Sequence, residues 1–351
     1  MTVDIRDVAR RSGVSVATVS RALNARPGVS AGTRARVTDV ARELGYQPNH
    51  QARSLVRRRS DTVGLIWDTS YVLAGGRVPF LQDLLIGLKI ALADAGYHLM
   101  VMSPRPERDG QHAFARTAAA HNLDGVLLMG VDENLPEVNE LITSGLPVVG
   151  VDLPVRGVRA SYVSTDSRAG ATAAVRHLAE LGHRRIAIIT GPRDQLPAIQ
   201  RLAGYTETMA ALSLAVRSGY VRFGDFFPES GHDRMRSLLA LPQPPTAVFV
   251  AGDTMAVGAE LAAREAGLDV PGDVSIVGYD DLELAAVVQP PLSTIRQDYL
   301  AMGAAAVAML QGLIRGHAAG EPVGSDPPPP MLLPGRLIVR ASTGPPRADE
   351  G

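Results

Sequence analysis

Apolar positions recur with one period before residue 62 and another after it. Through residues 5–44 they follow helical spacing: Ile5, Val8 and Ala9, then Val14, Val19 and Leu23, then Val37, Val40, Ala41 and Leu44. This predicts three helices. The first runs from about Ile5 to Arg11, the second from a Ser15 cap to about Leu23, and the third from a Ser30 cap to Gly45. Ser12-Gly13-Val14 separates the first two, with Gly13 free to take the positive φ of a tight turn. On the second helix Val16, Ala17, Ser20 and Arg21 are left facing outward. A helix-turn-helix places its second helix this way, the inner face packing and the outer N-terminal face reading base edges in the major groove.

Pro48 breaks the third helix, and 49–58 holds at most a helix of about two turns, marginal alone in water. Leu55 sits there in a basic setting. Two readings stand: a linker whose leucine packs on a neighbouring domain, or a hinge helix that orders on DNA and inserts Leu55 into the minor groove as an apolar wedge. From residue 63 short apolar runs recur at 63–67, 98–102, 125–129, 147–151, 185–190, 247–251 and 274–278. Ala- and Leu-rich helical stretches such as 81–95, 168–181 and 255–266 alternate with them. Buried strands alternating with amphipathic helices give βαβ units and parallel sheets. So many strands fit two doubly wound lobes with a cleft between them. Asp68, Asp152, Asp253 and Asp280 fall at or just after strand ends, where such sheets bind ligands. Carboxylates there accept hydrogen bonds from a polyol, or else cap the next helix. The four prolines at 327–330 read as a stiff connector, and no leucine heptad follows the last strand.

Charge divides the chain at the same place. Residues 1–60 hold twelve arginines against four acidic residues, a net of +8, which leaves −9 for the rest of a chain totalling −1. A basic head on an acidic body is an electrostatic footprint for nucleic acid. The chain has no cysteine, which removes disulfides, thiolate metal sites and cysteine nucleophiles. No apolar leader precedes the first helix and no run reaches about 20 apolar residues, so a soluble, cytoplasmic protein without membrane association is expected. The sequence carries no GxSxG, P-loop, GxGxxG or HExxH pattern, so an enzyme is not expected, nor a metal or cofactor.

Six stretches in order resemble the LacI/GalR family of bacterial transcription regulators over nearly the full length. They are IRDVARRSGVSVATVSRALN at 5–24, GYQPN and ARSL within 45–55, DSRAGATAAVRHLAELGHRRIAIITG at 166–191, GYDD at 278–281, PPLSTIRQD at 290–298 and VRAST at 339–343. The resemblance implies an α/β protein: an all-α helix-turn-helix domain at 1–47, a hinge at 48–61, a periplasmic-binding-protein-like core of two parallel-sheet lobes at 62–343, and a tail at 344–351. The first lobe is expected at about 62–162 plus 293–324, the second at about 163–292 plus 325–343. The family's habit implies a homodimer on a pseudo-palindromic operator, controlled by a small molecule in the cleft.

Carried over by position, Val16, Ala17 and Arg21 read bases, Arg21 being able to bond guanine through two donors. Thr18, Ser20 and Asn24 touch phosphate or hold the helix, and Asn49, Ala52 and Leu55 align with hinge residues at the minor groove. In the cleft Asp152, Arg201, Asp253, Asp280 and Gln297 fall at effector-contact positions, and Phe226 where the family places an aromatic ring. Trp67 and Asp68 end the first core strand facing the same cleft, and Phe80 belongs to the family's Pro-Phe pair at the first core helix. Two departures concern the ligand: Gly252 stands where the family often has asparagine, and the loop at 70–78 is longer and richer in glycine. A sugar is the expected effector, its hydroxyls met by the aspartates and Arg201 and its ring by Trp67 or Phe226. A purine corepressor stacked on Phe226 is the alternative, and activation instead of repression depends on operator position.

Overall fold

The computed structural model describes residues 3–24, 26–46, 59–67, 80–102, 113–132, 134–319 and 326–347. The chain divides into two units, Met1–Asp61 and Thr62–Gly351.

In the first unit helices α1 (Ile5–Ser12), α2 (Val16–Leu23) and α3 (Ala31–Glu43) close on a small core of Val8, Ala9, Val19, Ala22, Val37 and Ala41. Asp4 opens α1 with a capping box: its side chain accepts from the amides of Arg6 and Asp7, and its own amide donates to the Asp7 carboxylate. Ser15 and Ser30 cap α2 and α3, and Gly13 stops α1 at φ 68°.

In the second unit the described residues form two six-stranded sheets. The first runs in the order β11 (Met331–Leu333), β5 (Ala160–Thr165), β4 (Val148–Val151), β3 (Gly125–Met129), β1 (Thr62–Trp67) and β2 (His98–Met102), every pair parallel. The second runs β12 (Arg336–Ile338), β10 (Ser293–Arg296), β9 (Ser275–Asp280), β8 (Ala247–Val250), β6 (Ile186–Thr190) and β7 (Val221–Phe223). Only β12 in that sheet is antiparallel to its neighbour. Helices α4 (Phe80–Asp94), α5 (Ala113–Ala120) and α6 (Pro136–Thr143) serve the first sheet. Helices α7 (Ser167–Glu180), α8 (Leu196–Ala211), α9 (Pro228–Leu239), α10 (Asp253–Glu265) and α11 (Glu283–Val287) serve the second. Helix α12 (Tyr299–Ala318) returns to the first lobe, against α4 and strands β4 and β5. It is long and apolar enough to cross a membrane by composition, but its Met302, Ala306, Val307, Leu310 and Ile314 are buried in the lobe's core.

The lobe boundaries differ from expectation at all three crossings. Strand β5 stays whole in the first sheet, so the chain crosses after Thr165 and not at 162. Strand β10 pairs with β9, so 293–296 belongs to the second lobe and the return crossing is at 297–298. Strand β11 pairs with β5, so 331–333 belongs to the first lobe and the last crossing is at 334–335. In each case the strand pairs within its own sheet to its last residue, and only the one or two residues beyond it span the lobes.

The end of the chain is stitched into the second lobe. Ser342 is buried, accepting from the Ser293 amide and donating to the Ile276 carbonyl. His183, also buried, meets the Thr246 hydroxyl at Nδ1 (3.0 Å) and the Gly344 carbonyl at Nε2 (2.9 Å). A carbonyl only accepts, so Nε2 carries the proton and Nδ1 accepts from threonine. Burial pushes the His183 imidazole below its ordinary value of 6.5, and His177 adds to this. A depressed histidine contributes stability above the unfolded value that fades as pH falls. The stability gap between wild type and His183→Gln is therefore expected to be largest above pH 6.5 and to shrink on acidification. Urea unfolding of both proteins across that window checks it, and a constant gap would assign the acid loss to other groups.

Candidate functional site

On α2, Val16, Ala17 and Arg21 are exposed and Ser20 is half-buried. The Arg21 guanidinium has no partner among the described residues. Thr18 and Asn24 serve the helix itself. Ser15 Oγ accepts from the Thr18 amide and lies 2.9 Å from its hydroxyl, while Asn24 Nδ2 donates to the Ser20 carbonyl (2.8 Å). Of the two roles expected for them, the structure displays the one of holding the helix. One residue had not been anticipated. Arg34 on α3 donates from Nη1 to the Ala22 carbonyl and from Nη2 to the Arg26 carbonyl, both 2.9 Å, and so fixes the end of α2. Its cation stands where the helix dipole is negative. Asn49, Ala52 and Leu55 lie outside the described residues.

In the second unit the carboxyl ends of the strands gather a polar cluster. Asp152 follows β4, Asp280 ends β9 and Gln297 follows β10, while Arg201 comes from α8. Asp280 Oδ1 accepts from Gln297 Nε2 (2.7 Å) and from the Tyr299 hydroxyl (3.1 Å), and Arg201 Nη2 stands 3.9 Å away. The Arg201 guanidinium lies over the Tyr279 ring at 3.6 Å and donates to the Ala251 carbonyl at 2.9 Å. Asp152 Oδ1 accepts from the Ser164 hydroxyl at 2.6 Å. Burial raises the Asp280 carboxyl above its ordinary value, against the pull of Arg201 and its hydrogen bonds. Asp152 is raised for the same first reason, against Ser164 and Arg201. Charge is held here at a cost that a pure folding scaffold has no need to bear.

Backbone strain collects at the same place. Asp152 (φ 52°), Phe226 (φ 69°), Asp280 (φ 114°) and Asp281 (φ 59°) occupy the left-handed half of the map without being glycine. The Phe226 ring rests on Gly191, where a Cβ would meet Cζ at 2.1 Å. Its carbonyl accepts from the Thr254 hydroxyl at 2.6 Å. Gly252 borders the ring and Asp280: a Cβ on it would stand 3.4 Å from Phe226 Cδ1 and 3.8 Å from Asp280 Oδ2. Met255 Cε stands 3.7 Å from the same point, so a side chain beginning here would start in van der Waals contact with all three.

The expected residues do not all join this cluster. Asp253 is a correction: it is 0% exposed, with Oδ1 accepting from Thr294 Oγ1 (2.6 Å) and Oδ2 from the Leu282 amide (2.9 Å). A Cβ on Gly278 would strike its Oδ1 at 2.2 Å, so the carboxylate is directed into the sheet instead of toward a ligand. Burial, then the negative charge of Asp280, drive it well above its ordinary value. Trp67, half-buried, packs on the first lobe's core. Phe80 reaches the cluster through Tyr299, on whose ring it stacks at 5.0 Å and 17°. Asp68 lies outside the described residues, as does the loop 70–78. Sequence reasoning missed Tyr299 and Ser164. The aromatic two residues after Gln297 was the available signal for the first; a serine inside a strand gave none for the second. Among the described residues no group of acidic and histidine side chains is placed to hold a metal.

Known proteins share this construction. The model of bacterial regulatory proteins of the lacI family matches residues 4–49, and that of a periplasmic binding protein-like domain matches 175–343. The transcriptional regulator CelR of Thermobifida fusca is 36% identical over 95% of this chain and 96% of its own. The transcriptional repressor CytR of Escherichia coli K12 is 34% identical over 97% and 96%. Among solved structures, a CelR–cellobiose complex superposes with a TM-score of 0.71 at 33% identity, covering 97% of this chain and 99% of that one. A lac repressor dimer bound to operator and the anti-inducer ONPF gives 0.80 at 28% identity, covering 98% and 100%. A capped helix-turn-helix in a basic head, two parallel-sheet lobes and full-length relatives of one kind place the chain in the LacI family of bacterial regulatory proteins, as a DNA-binding transcriptional regulator.

Proposed function

We propose that the protein represses transcription in the cytoplasm as a homodimer on a pseudo-palindromic operator, and that a sugar in the interlobe cleft releases it. Val16, Ala17 and Arg21 read bases, and Asn49, Ala52 and Leu55 engage the minor groove. Asp152, Asp280 and Gln297 receive the sugar's hydroxyls, Arg201 holds the two aspartates in place, and Phe226 offers its ring to a pyranose face. Trp67, Asp68 and Phe80 complete the first lobe's side.

The observation that carries this reading is the Gln297 amide. It is 7% exposed, its nitrogen bonds Asp280 and Tyr299, and its carbonyl oxygen has no partner among the described residues. Leaving a buried acceptor unpaired costs about 1–3 kcal/mol, and a ligand hydroxyl would recover it. Cellobiose, present in the CelR complex, and ribose, named for the 35%-identical ribose operon repressor of Escherichia coli K12, are the first probes. Thermal unfolding of the full chain tests them: a ligand at about 100 times its dissociation constant adds about 2.7 kcal/mol to the native state. A transition raised by a sugar is the expected result. One raised by a purine and by no sugar would replace this reading with a corepressor, for which the Phe226 ring could stack on the base.

A further inference from the structure

Three consecutive residues at the end of β9 are each anchored separately. Asp280 accepts from Gln297 and Tyr299 at Oδ1. The Asp281 side chain is 4% exposed and accepts from two arginines, from Arg296 Nε at Oδ2 (2.5 Å) and from Arg340 Nη2 at Oδ1 (2.6 Å). The Leu282 amide donates to Asp253 Oδ2 at 2.9 Å. The anchors of Asp281 and Leu282 both lead to β10. Arg296 is the last residue of that strand. Arg340 reaches its other end, donating from Nη1 to the Leu292 carbonyl and from its amide to Ser293 Oγ. Between the two ends, Thr294 Oγ1 donates to Asp253 Oδ1 at 2.6 Å. The next residue along, Gln297, opens the return crossing, and its own amide donates to the Asp280 carbonyl at 3.3 Å.

Neither of these two further carboxylates is placed to receive a ligand. Asp253 is directed into the sheet, and Asp281 is buried with one oxygen on each arginine. What they brace is strained: Asp280 stands at φ 114° and Asp281 at φ 59°. Residues other than glycine keep such conformations only where their surroundings over-determine them. A buried carboxylate is sustained only when paired and hydrogen-bonded, and charge-assisted bonds from arginine are the strong, directional kind. Relaxing the pair toward ordinary φ would re-aim the Asp280 side chain, because rotation at its Cα carries the carboxylate with it.

We infer that Asp281, together with Asp253, is a positioning residue: braced on β10, the two hold the turn 280–282 so that Asp280 presents its carboxylate to the effector. That Asp280 receives the effector rests on the function proposed above; that Asp281 holds the turn does not. Two variants test it. Asp281→Asn keeps an acceptor for Arg340 and turns a donor toward Arg296, while Arg296→Met removes one donor from a half-exposed site and leaves the core intact. Amide hydrogen exchange of the full-length wild type and both variants is followed without ligand, and cellobiose and ribose are titrated into each by calorimetry. Exchange at Leu282 and Gln297 is expected to quicken about tenfold or more in both variants. The Ile188 amide, bonded to the Tyr220 carbonyl in the same lobe, is expected to exchange as in wild type. The sugar that binds wild type is expected to bind each variant at least about tenfold more weakly. Unchanged exchange at Leu282 in both variants overturns the inference, and so does quickened exchange with undiminished sugar affinity. Equal quickening at Ile188 would reduce Asp281 to a folding role and would also overturn it. If neither sugar binds wild type, the proposed effector fails and exchange alone decides: selective quickening at Leu282 and Gln297 upholds the brace, and its absence refutes it.

Discussion

Asp280→Asn is expected to leave operator affinity unchanged and to remove the response to effector. The asparagine oxygen can still accept from Gln297 and Tyr299 at the Oδ1 position, so the local scaffold persists. Its amide nitrogen then occupies the Oδ2 position beside Gly252, presenting a donor where a ligand hydroxyl needs an acceptor. A hydrogen bond to a charged group contributes about 1.5–3 kcal/mol, and losing it weakens binding roughly 10- to 150-fold at about 1.4 kcal/mol per tenfold. The effect on folding has the opposite sign. Asp280 is held above its ordinary value, chiefly by burial. A raised carboxyl is most favourable below the unfolded value and loses that advantage as pH rises through the folded value. Above the folded value the ionised aspartate is thus a burden on the native state, and there the variant's own unfolding transition should hold or rise. Isothermal titration with the effector, paired with thermal unfolding without it, separates the two effects. Retained effector affinity would take Asp280 out of the site.

Arg21→Ala is expected to lower affinity for the cognate operator by about 1–3 kcal/mol and to relax specificity at one base position. Arg21 is exposed on α2, its guanidinium is not engaged by any described residue, and the end of its helix is fixed by Arg34. A guanidinium with free donors fits the two acceptors of a guanine edge. A phosphate contact would behave differently, weakening all sequences alike and lowering the salt dependence by about one counterion. Titrating operator and random duplexes at several salt concentrations distinguishes the two, and equal losses on both DNAs would reassign Arg21 to the backbone.

The parts of this molecule legible from sequence are those written in local periodicity. Ser15, Ser30 and Gly13 announce the ends of their helices because caps and turns act within four residues. Strands such as Gly125–Met129, buried at every position, stand out as apolar runs. Strand Ala160–Thr165 is equally buried but reads ASYVST, so it passed unnoticed. Its serines are tolerated inside because Ser161 donates to the Pro328 carbonyl and Ser164 to Asp152. Those partners lie far away in sequence or on another strand, and no local pattern encodes them. Short β10, β11 and β12 were hidden for a related reason: three or four residues carry little periodicity, and their sheet membership is settled by neighbours distant in the chain. This is why the lobe crossings were misplaced. In the cleft, resemblance brought Asp152, Arg201, Asp280 and Gln297 to attention, and the structure gathers them. It could not tell an aspartate facing the ligand from Asp253, whose oxygens are consumed by Thr294 and Leu282.

The claim most worth testing is that occupancy of the cleft controls DNA binding. An operator recovered by the full-length protein from a randomised duplex library can be labelled, bound and titrated with the sugar that raises the unfolding transition. Fluorescence anisotropy is expected to fall to the free-DNA value with wild type and to stay high with Asp280→Asn. If the anisotropy of the wild-type complex stays high at saturating sugar, or falls equally with the variant, the cleft is not the site from which this regulator is released.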